Sequence, residues 1–155
     1  MATAPSSRER DFTFLADFAH NPHGLRLLGE FVRKLEYSLH VGVISGTGDR
    51  RDEDIRELGA LSATYFDEII IRCDKNLRGR TADEIIGLLK EGIYKVNPQI
   101  PILTIANENE ALEYIYAHHK QDALYTIMCD VVAGALDKIK ELKERDDKLH
   151  TMTRF

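Results

Sequence analysis

The sequence predicts one three-layer α/β domain whose sheet is mostly parallel and has five to six strands flanked by helices. Two observations predict this fold class. Apolar runs of strand length alternate with longer segments in which apolar residues recur every three or four positions, and the alternation continues through almost the whole chain. The connections between these segments are short, which favours right-handed crossovers and a sheet covered by helices on both faces.

Five apolar runs predict the strands. The third run contains three consecutive isoleucines, and a β-branched run of this kind suits a strand that is buried on both faces. Strands that each lead into a helix form the Rossmann-like arrangement. The predicted strands are Phe12–Phe18, Leu39–Ile44, Glu68–Arg72, Ile102–Ala106 and Ala123–Met128.

A helix is predicted after each of these strands. Thr81 and Glu84 have the spacing of a capping box before the third helix, Asn107 can cap the fourth, and Asn97-Pro98 ends the third. The buried faces are marked by Leu25, Leu28, Val32 and Leu35, then Ile55, Leu58, Ser62 and Tyr65, then Ile85, Leu89, Ile93 and Val96, then Leu112, Ile115 and His119, and finally Val132, Ala135, Ile139 and Leu142.

The two ends of the chain do not continue this pattern. We interpret residues 1–10 as a flexible leader and residues 145–155 as a polar tail, so the predicted domain spans residues 11–144. A chain of 155 residues is long enough for one domain with a proper core and too short for two.

Composition excludes several classes of protein. The formal net charge of -5 argues against a nucleic-acid binder and against a binder of anionic membranes. The apolar runs are too short to span a membrane, and the N-terminus has no hydrophobic segment of a signal peptide. Cys73 and Cys129 do not form a CxxC motif, which indicates two reduced thiols in a cytoplasmic protein.

Three loops at the predicted carboxyl ends of strands could carry chemistry, because sites in such sheets form there. The first loop contains Asp17, His20, Asn21 and His23. On spacing alone it predicts a helix-capping turn, with Asn21 as the cap and a proline at the first helical position. A metal site is disfavoured because the candidate ligands span a strand end and a helix start rather than one helical face.

The second and third loops, residues 42–54 and 72–80, are rich in glycine and charge. The glycines of the second loop let the backbone approach an anion at a helix N-terminus, although the phosphate-loop lysine and the third glycine of a dinucleotide fingerprint are missing. Taken alone, the third loop is typical of a solvated surface, whereas the second fits either a solvated glycine loop or an anion site. Both follow successive strands, so their basic residues predict a cationic edge for a phosphate or carboxylate ligand: Arg50, Arg51, Lys75, Arg78 and Arg80.

These loops carry a resemblance to a known family. The segment from Asp17 to Pro22, Asp-Phe-Ala-His-Asn-Pro, resembles the signature that opens the C-terminal domain of Mur ligases and folylpolyglutamate synthetases, although Phe18 stands where the family often has tyrosine. Residues 48–57 and 70–80 are similar to the corresponding loops of cyanophycin synthetase. The three motifs occur in the family's order across residues 11–143, so the sequence resembles the Mur ligase C-terminal domain, closest to the cyanophycin synthetase branch.

The resemblance implies a function. In that family the domain is the mobile third lobe of an ATP-dependent ligase, which phosphorylates a carboxylate and then lets an amino-acid amine attack the acyl phosphate to form an amide. By resemblance, Asp17 lies on the ribose side of ATP, and His20 and Asn21 lie near the reacting groups. The residues that would place the incoming amino acid and its carboxylate are Asp49, Arg50, Arg51, Asp74 and Arg78.

The sequence lacks the central ATPase lobe with its phosphate loop and Mg²⁺ carboxylates. The resemblance therefore implies that ATP and Mg²⁺ are shared with a central lobe, in cis or in trans, and that this chain alone is catalytically silent. A stand-alone anion- or amino-acid-binding regulatory module remains the alternative.

Three acids at the start of the second helix allow two interpretations. They could bind the guanidinium of a substrate, or they could be solvated acids at a helix start: Asp52, Glu53 and Asp54.

Overall fold

The computed structural model describes residues 12–19, 21–46, 50–73, 79–129, 132–145 and 149–153. The strands in these ranges are β1 (Phe12–Asp17), β2 (Leu39–Ile44), β3 (Glu68–Arg72), β4 (Ile102–Ile105), β5 (Ala123–Met128) and β6 (Leu149–Thr153). The helices are α1 (Pro22–Val32), α2 (Asp52–Tyr65), α3 (Ala82–Val96), α4 (Glu108–His118) and α5 (Val132–Arg145).

These strands form one parallel sheet with the order β4-β3-β2-β5-β1-β6. The chain adds β2, β3 and β4 successively on one side of β1, then returns with β5 between β1 and β2, and β6 pairs with the other side of β1. The return of β5 makes a topological switch point, where open α/β sheets bind their ligands outside the carboxyl ends of the strands. The predicted Rossmann-like α/β fold class is confirmed.

Helices cover both faces of the sheet and produce two hydrophobic clusters. Leu25 of α1, Ile55 of α2 and Leu89 of α3 pack on one face, and Leu112 of α4 and Ile139 of α5 pack on the other. Fully burying each such aliphatic side chain contributes about 1.5–3 kcal/mol relative to exposure. The sheet is thereby the rigid middle layer on which the loops at its carboxyl edge are mounted.

Three residues predicted on buried helix faces differ from that prediction in exposure or in their position relative to the helix. Val96 is 47% exposed, because the last turn of α3 extends past the core. His119 is the C-cap of α4 and stacks its ring on Phe12 with centroids 4.1 Å apart. Leu35 lies beyond the end of α1, in a turn where the N–H groups of Lys34 and Leu35 donate to carbonyl oxygens three residues earlier, but its half-buried side chain still packs against the same hydrophobic cluster as α1.

The C-terminal segment and two strand ends also differ from expectation. The sequence did not predict β6, which lies within the segment interpreted as a polar tail, because its run Leu-His-Thr-Met-Thr has no continuous apolar stretch. β1 ends one residue before Phe18 and β4 one residue before Ala106. The predicted leader, residues 1–10, lies outside the described residues.

Glycines allow α2 and α3 to approach each other closely. A Cβ at Gly59 of α2 would overlap the carbonyl oxygen of Leu89, and a Cβ at Gly92 of α3 would overlap the carbonyl oxygen of Arg56. The two contacts are reciprocal and involve rigid backbone, so neither helix can accept a side chain there without moving away from the other.

We therefore expect Gly92→Ala to lower the free energy of unfolding by about 1–3 kcal/mol, because the added methyl group forces α2 and α3 apart. Gly87→Ala in the same helix is the matched control, since nothing lies within 4 Å of a Cβ at that position. The control should raise stability by about 0.5–1 kcal/mol through helix propensity. Urea unfolding measures both changes, and equal effects of the two substitutions would contradict the close helix contact.

His40 predicts a pH dependence of stability. It is 4% exposed on β2, and its pKa is lowered by burial and then by the charge of Arg33, with Asp67 acting in the opposite direction. Because the folded pKa lies below the value of about 6.5 in an unfolded chain, the unfolded state binds more protons as the pH falls through this range. The contribution to stability is therefore complete above about pH 6.5 and is lost as the pH falls toward the folded pKa.

We expect His40→Gln to reduce the loss of unfolding free energy between pH 7 and pH 5, since glutamine does not titrate. The exposed His23 on α1 provides the control His23→Gln, which should leave that loss unchanged. Urea unfolding at the two pH values measures the effect. An identical pH dependence in wild type and His40→Gln would show that the buried imidazole is not responsible.

Candidate functional site

The ends of four strands define the carboxyl edge of the sheet. Asp17 ends β1, Ile44 ends β2, Arg72 ends β3 and Met128 ends β5. All four strands are parallel, and the register pairs Asp17 with Met128. The loops after β1, β2 and β3 therefore leave the sheet at one edge, as expected for the three candidate loops.

Asp17 and Asn21 organise the first loop. Asp17 is 8% exposed, its Oδ1 accepts the backbone N–H of Ala19 at 2.9 Å, and its carbonyl oxygen accepts the N–H of Cys129 at 2.9 Å. Asn21 is the N-cap of α1 and accepts the N–H of Gly24 at 2.8 Å. The capping interpretation of Asn21 is thus confirmed, and His20 lies outside the described residues.

Arg50 lies in the loop between β2 and α2, two residues before α2 begins. Its side chain is half-buried, and its Nε is buried without a hydrogen-bond partner among the described residues. Its carbonyl oxygen accepts a hydrogen bond from Nη2 of Arg80 at 3.1 Å, which connects this loop to the start of α3. Asp49 lies outside the described residues. An arginine Nε of this kind, beside a helix N-terminus, can donate to an anion.

Neighbouring acids compensate the other described arginines of this edge. Arg51 is exposed and donates from Nε and Nη2 to Asp54, both at 3.1 Å. Nη1 of Arg80 lies 2.6 Å from a carboxylate oxygen of Asp52 and 3.1 Å from one of Glu84. The acids at the start of α2 thus meet guanidinium groups of their own chain, and the predicted cationic edge is locally balanced.

This pairing shifts the pKa values of the partners. The hydrogen bond from Arg51 lowers the pKa of Asp54, and the hydrogen bond to Asp54 raises the pKa of Arg51. Both groups are solvent-screened, so the pair contributes little to stability. Arg51 can therefore exchange Asp54 for another carboxylate at little cost. Lys75, Asp74 and Arg78, which belong to the third loop, lie outside the described residues.

The sequence did not indicate an ion pair at this edge between a buried arginine and a partly exposed glutamate. Arg72, the last residue of β3, is 4% exposed, donates from Nη2 to the carbonyl oxygen of Met128 at 2.7 Å, and lies 3.4 Å from a carboxylate oxygen of Glu108. An arginine that ends an apolar strand does not reveal a partner in a later helix, so the spacing of residues in the sequence gave no signal of the ion pair.

Burial, followed by the charge of Glu108, raises the pKa of the neighbouring Cys129 to about 12, which keeps that thiol protonated.

Within the described ranges, no three His, Cys, Asp or Glu side chains lie close enough together to hold a metal ion. The described helices are also too short or too polar to cross a membrane.

The family model of the Mur ligase glutamate ligase domain matches residues 5–145. This chain belongs to that family. It is 37% identical to the cyanophycin synthetase of Synechocystis sp. over 129 residues, which are 83% of this chain and 15% of the relative. It is also 37% identical to that of Geminocystis herdmanii over 132 residues, 85% of this chain and 15% of the relative. The chain thus spans about 15% of the length of these relatives.

Solved structures share the fold. The structure of UDP-N-acetylmuramoyl-L-alanyl-D-glutamate--2,6-diaminopimelate ligase superimposes with a TM-score of 0.75 at 14% identity, covering 95% of this chain and 33% of the other. E. coli FolC in complex with ADP superimposes with a TM-score of 0.60 at 19% identity, covering 84% of this chain and 29% of the other. The resemblance to the Mur ligase C-terminal domain and to cyanophycin synthetase is confirmed, and the chain is a domain of the kind that ATP-dependent ligases contain.

Proposed function

We propose that this chain is the lobe that closes over substrate and ATP in a cytoplasmic ligase of the Mur ligase and cyanophycin synthetase type, which joins a carboxylate to an amino acid. The central observation is Arg50, whose buried Nε lacks a partner among the described residues at the same sheet edge as the fixed carboxylate of Asp17. Family membership and the identity to cyanophycin synthetases support this assignment.

The reaction has two steps. A carboxylate oxygen of the first substrate attacks the terminal phosphoryl group of ATP, which yields an acyl phosphate and ADP. The amine of the amino acid then attacks the acyl carbon, an amide bond forms, and phosphate leaves. From the family to which the chain belongs, we assign Mg²⁺ and the triphosphate to a central ATPase lobe that acts as the partner of this chain.

Asp17 suits the nucleotide side of the site. The N–H of Ala19 fixes the orientation of its carboxylate, and its backbone is held by Cys129, so the group is preorganised to accept a ribose hydroxyl. Asn21 caps α1 and follows His20 directly in the sequence. We assign His20 and Asn21 to the surroundings of the reacting groups.

Arg50 suits the amino-acid side. A guanidinium pairs well with the α-carboxylate of an amino acid, and the N-terminus of α2 adds favourable dipole interactions. We assign Asp49 and Asp74 to the amine, and Arg51 and Arg78 to the carboxylate. Arg51 has to exchange its contact with Asp54 for this role, which its exposed position allows.

We expect no ATP hydrolysis and no ligation by the isolated chain, because phosphoryl transfer requires the phosphate-binding groups and Mg²⁺ of the central lobe. Phosphate release from ATP by the purified protein, with and without amino acids, measures this. The Asp17→Ala variant is the control for contaminating activity. Steady turnover by the wild type that Asp17→Ala abolishes would contradict the division of labour between the lobes.

We expect inorganic phosphate to bind this edge weakly, with a dissociation constant near millimolar, or about -4 kcal/mol, because each contact is solvent-screened without a central lobe. NMR titration should shift residues 45–52 and 74–80, and salt should weaken the binding. Arg50→Ala should abolish it. Arg56→Ala is the matched control, since Arg56 lies on α2 in an exposed pair with Glu91.

Scattered shifts, or none at tens of millimolar phosphate, would leave the edge as an ordinary solvated surface and contradict the anion site. If the shifts are confined to these residues but Arg56→Ala weakens phosphate binding as much as Arg50→Ala does, the binding depends on the overall positive charge of this surface and not on Arg50 itself. The alternative function, an anion- or amino-acid-binding regulatory module, predicts the same titration but no ligation when a central lobe is supplied.

A further inference from the structure

The start of α2 differs from the starts of α1, α3 and α4. Those three helices begin at residues whose side chains accept a backbone N–H of the first turn: Asn21, Thr81 and Asn107. The N-cap of α2 is Arg51, and its side chain makes no capping hydrogen bond. Because a capping side chain normally fixes the way a chain enters its helix, the residues before α2 depend more on contacts from other parts of the chain.

Arg80, which lies just before α3, supplies such a contact. Its Nη2 donates to the carbonyl oxygen of Arg50 at 3.1 Å, and its Nη1 lies 2.6 Å from Oδ1 of Asp52, the first residue of α2. The guanidinium thus holds the residue before the cap and the residue after it. Two different nitrogens make these contacts, so both arms of the planar fork are used.

Arg80 is itself mounted on a fixed support. The next residue, Thr81, caps α3 by accepting the N–H of Glu84 at 3.1 Å, and Nη1 of Arg80 donates to Oε1 of Glu84 at 3.1 Å. Ile85 of α3 and Ile55 of α2 are buried in the same hydrophobic cluster. The start of α3 is therefore held by its cap and by the core, and Arg80 extends from it to the chain before α2.

These contacts distinguish Arg80 from Arg50. The charge of Arg80 is compensated by Asp52 and Glu84, whereas the Nε of Arg50 is buried without a hydrogen-bond partner among the described residues. An anion that approached Arg80 would have to compete with two carboxylates. Both carboxylates are about half exposed, and such pairs contribute little to folding stability.

We propose that Arg80 is a positioning residue for Arg50, an inference that rests on the proposed function. Arg80 does not bind the anionic substrate. It fixes the backbone of Arg50, and because the side chain starts from that backbone, it fixes where the Nε of Arg50 meets the anion. Small displacements of a binding group are costly, since a misplacement of about 1 Å can reduce a rate by about a hundredfold.

The test replaces Arg80 with a residue of the same charge. Arg80→Lys keeps the positive charge but lacks the fork that serves the carbonyl oxygen of Arg50 and the carboxylate of Asp52 together. We expect this variant to unfold at the wild-type urea concentration but to bind inorganic phosphate about tenfold more weakly, which corresponds to about 1.4 kcal/mol. NMR titration of the full chain reports the binding.

Arg56→Lys is the matched control. It makes the same exchange on α2, where Nε of Arg56 lies 2.6 Å from Oε2 of the exposed Glu91. Because Arg56 makes no described contact with Arg50, this variant should bind phosphate as the wild type does.

A second measurement needs no variant. The Nε–H signals of the arginines can be followed in the wild-type protein during the same phosphate titration. The signal of Arg50 should shift as phosphate binds, and the signal of Arg80 should shift much less, because its guanidinium stays on Asp52 and Glu84. Equal shifts of the two signals would make Arg80 a ligand of the anion and overturn the inference.

Each outcome of the titrations decides a claim. A wild-type chain without localised phosphate binding contradicts the proposed function and the inference built on it. Localised binding that Arg50→Ala abolishes and Arg80→Lys leaves unchanged overturns the positioning role, and the proposed function stands. An Arg80→Lys variant that does not fold, or an equal loss of binding in Arg56→Lys, would assign the effect to general structure or charge and also overturn the inference.

Discussion

The parallel pairing of β5 between β1 and β2 is the constraint on which the rest of the structure depends. It places the carboxyl ends of β1, β2, β3 and β5 at one edge, and it makes the switch point at which α/β sheets bind ligands. Every described residue of β1 and β5 is buried, so this pairing is also fixed by the hydrophobic clusters on both faces of the sheet. The edge can therefore carry costly polar contacts without losing its geometry.

Charge at that edge is arranged at two depths. At the surface, the exposed Arg51 pairs with Asp54 of α2, and such a pair exchanges easily with solvent or with a ligand. Arg80 is only 21% exposed and contacts Asp52 of α2 and Glu84 of α3. Beneath them, Arg72 is held between β5 and α4 and cannot exchange. Arg50 is half-buried, and its Nε has no hydrogen-bond partner among the described residues. This gradient from fixed to exchangeable charge suits a site that receives an anionic substrate when a partner lobe closes over it.

The sequence predicts most of the fold because its signals are local. The apolar runs of β2 and β3 are bounded by polar residues, so their ends could be located to the residue, and the caps Thr81 and Asn107 act through contacts within one helical turn. Contacts between distant parts of the chain leave no such signal. The ion pair of Arg72 with Glu108 joins a strand end to a later helix, and β6 is recognised only by its pairing with β1. The roles of Asp49, Asp74 and Arg78 come from the family resemblance alone and stay predictions.

The most direct test of the account places this chain in a complete ligase. The corresponding 15% of the Synechocystis cyanophycin synthetase would be replaced by this domain, and amino-acid-dependent phosphate release from ATP would be measured. If the domain closes the site over the amino acid, the chimera ligates, and Arg50→Ala raises the KM for the amino acid at least tenfold while the KM for ATP stays nearly unchanged. A chimera that ligates equally well with and without Arg50→Ala would contradict the central claim.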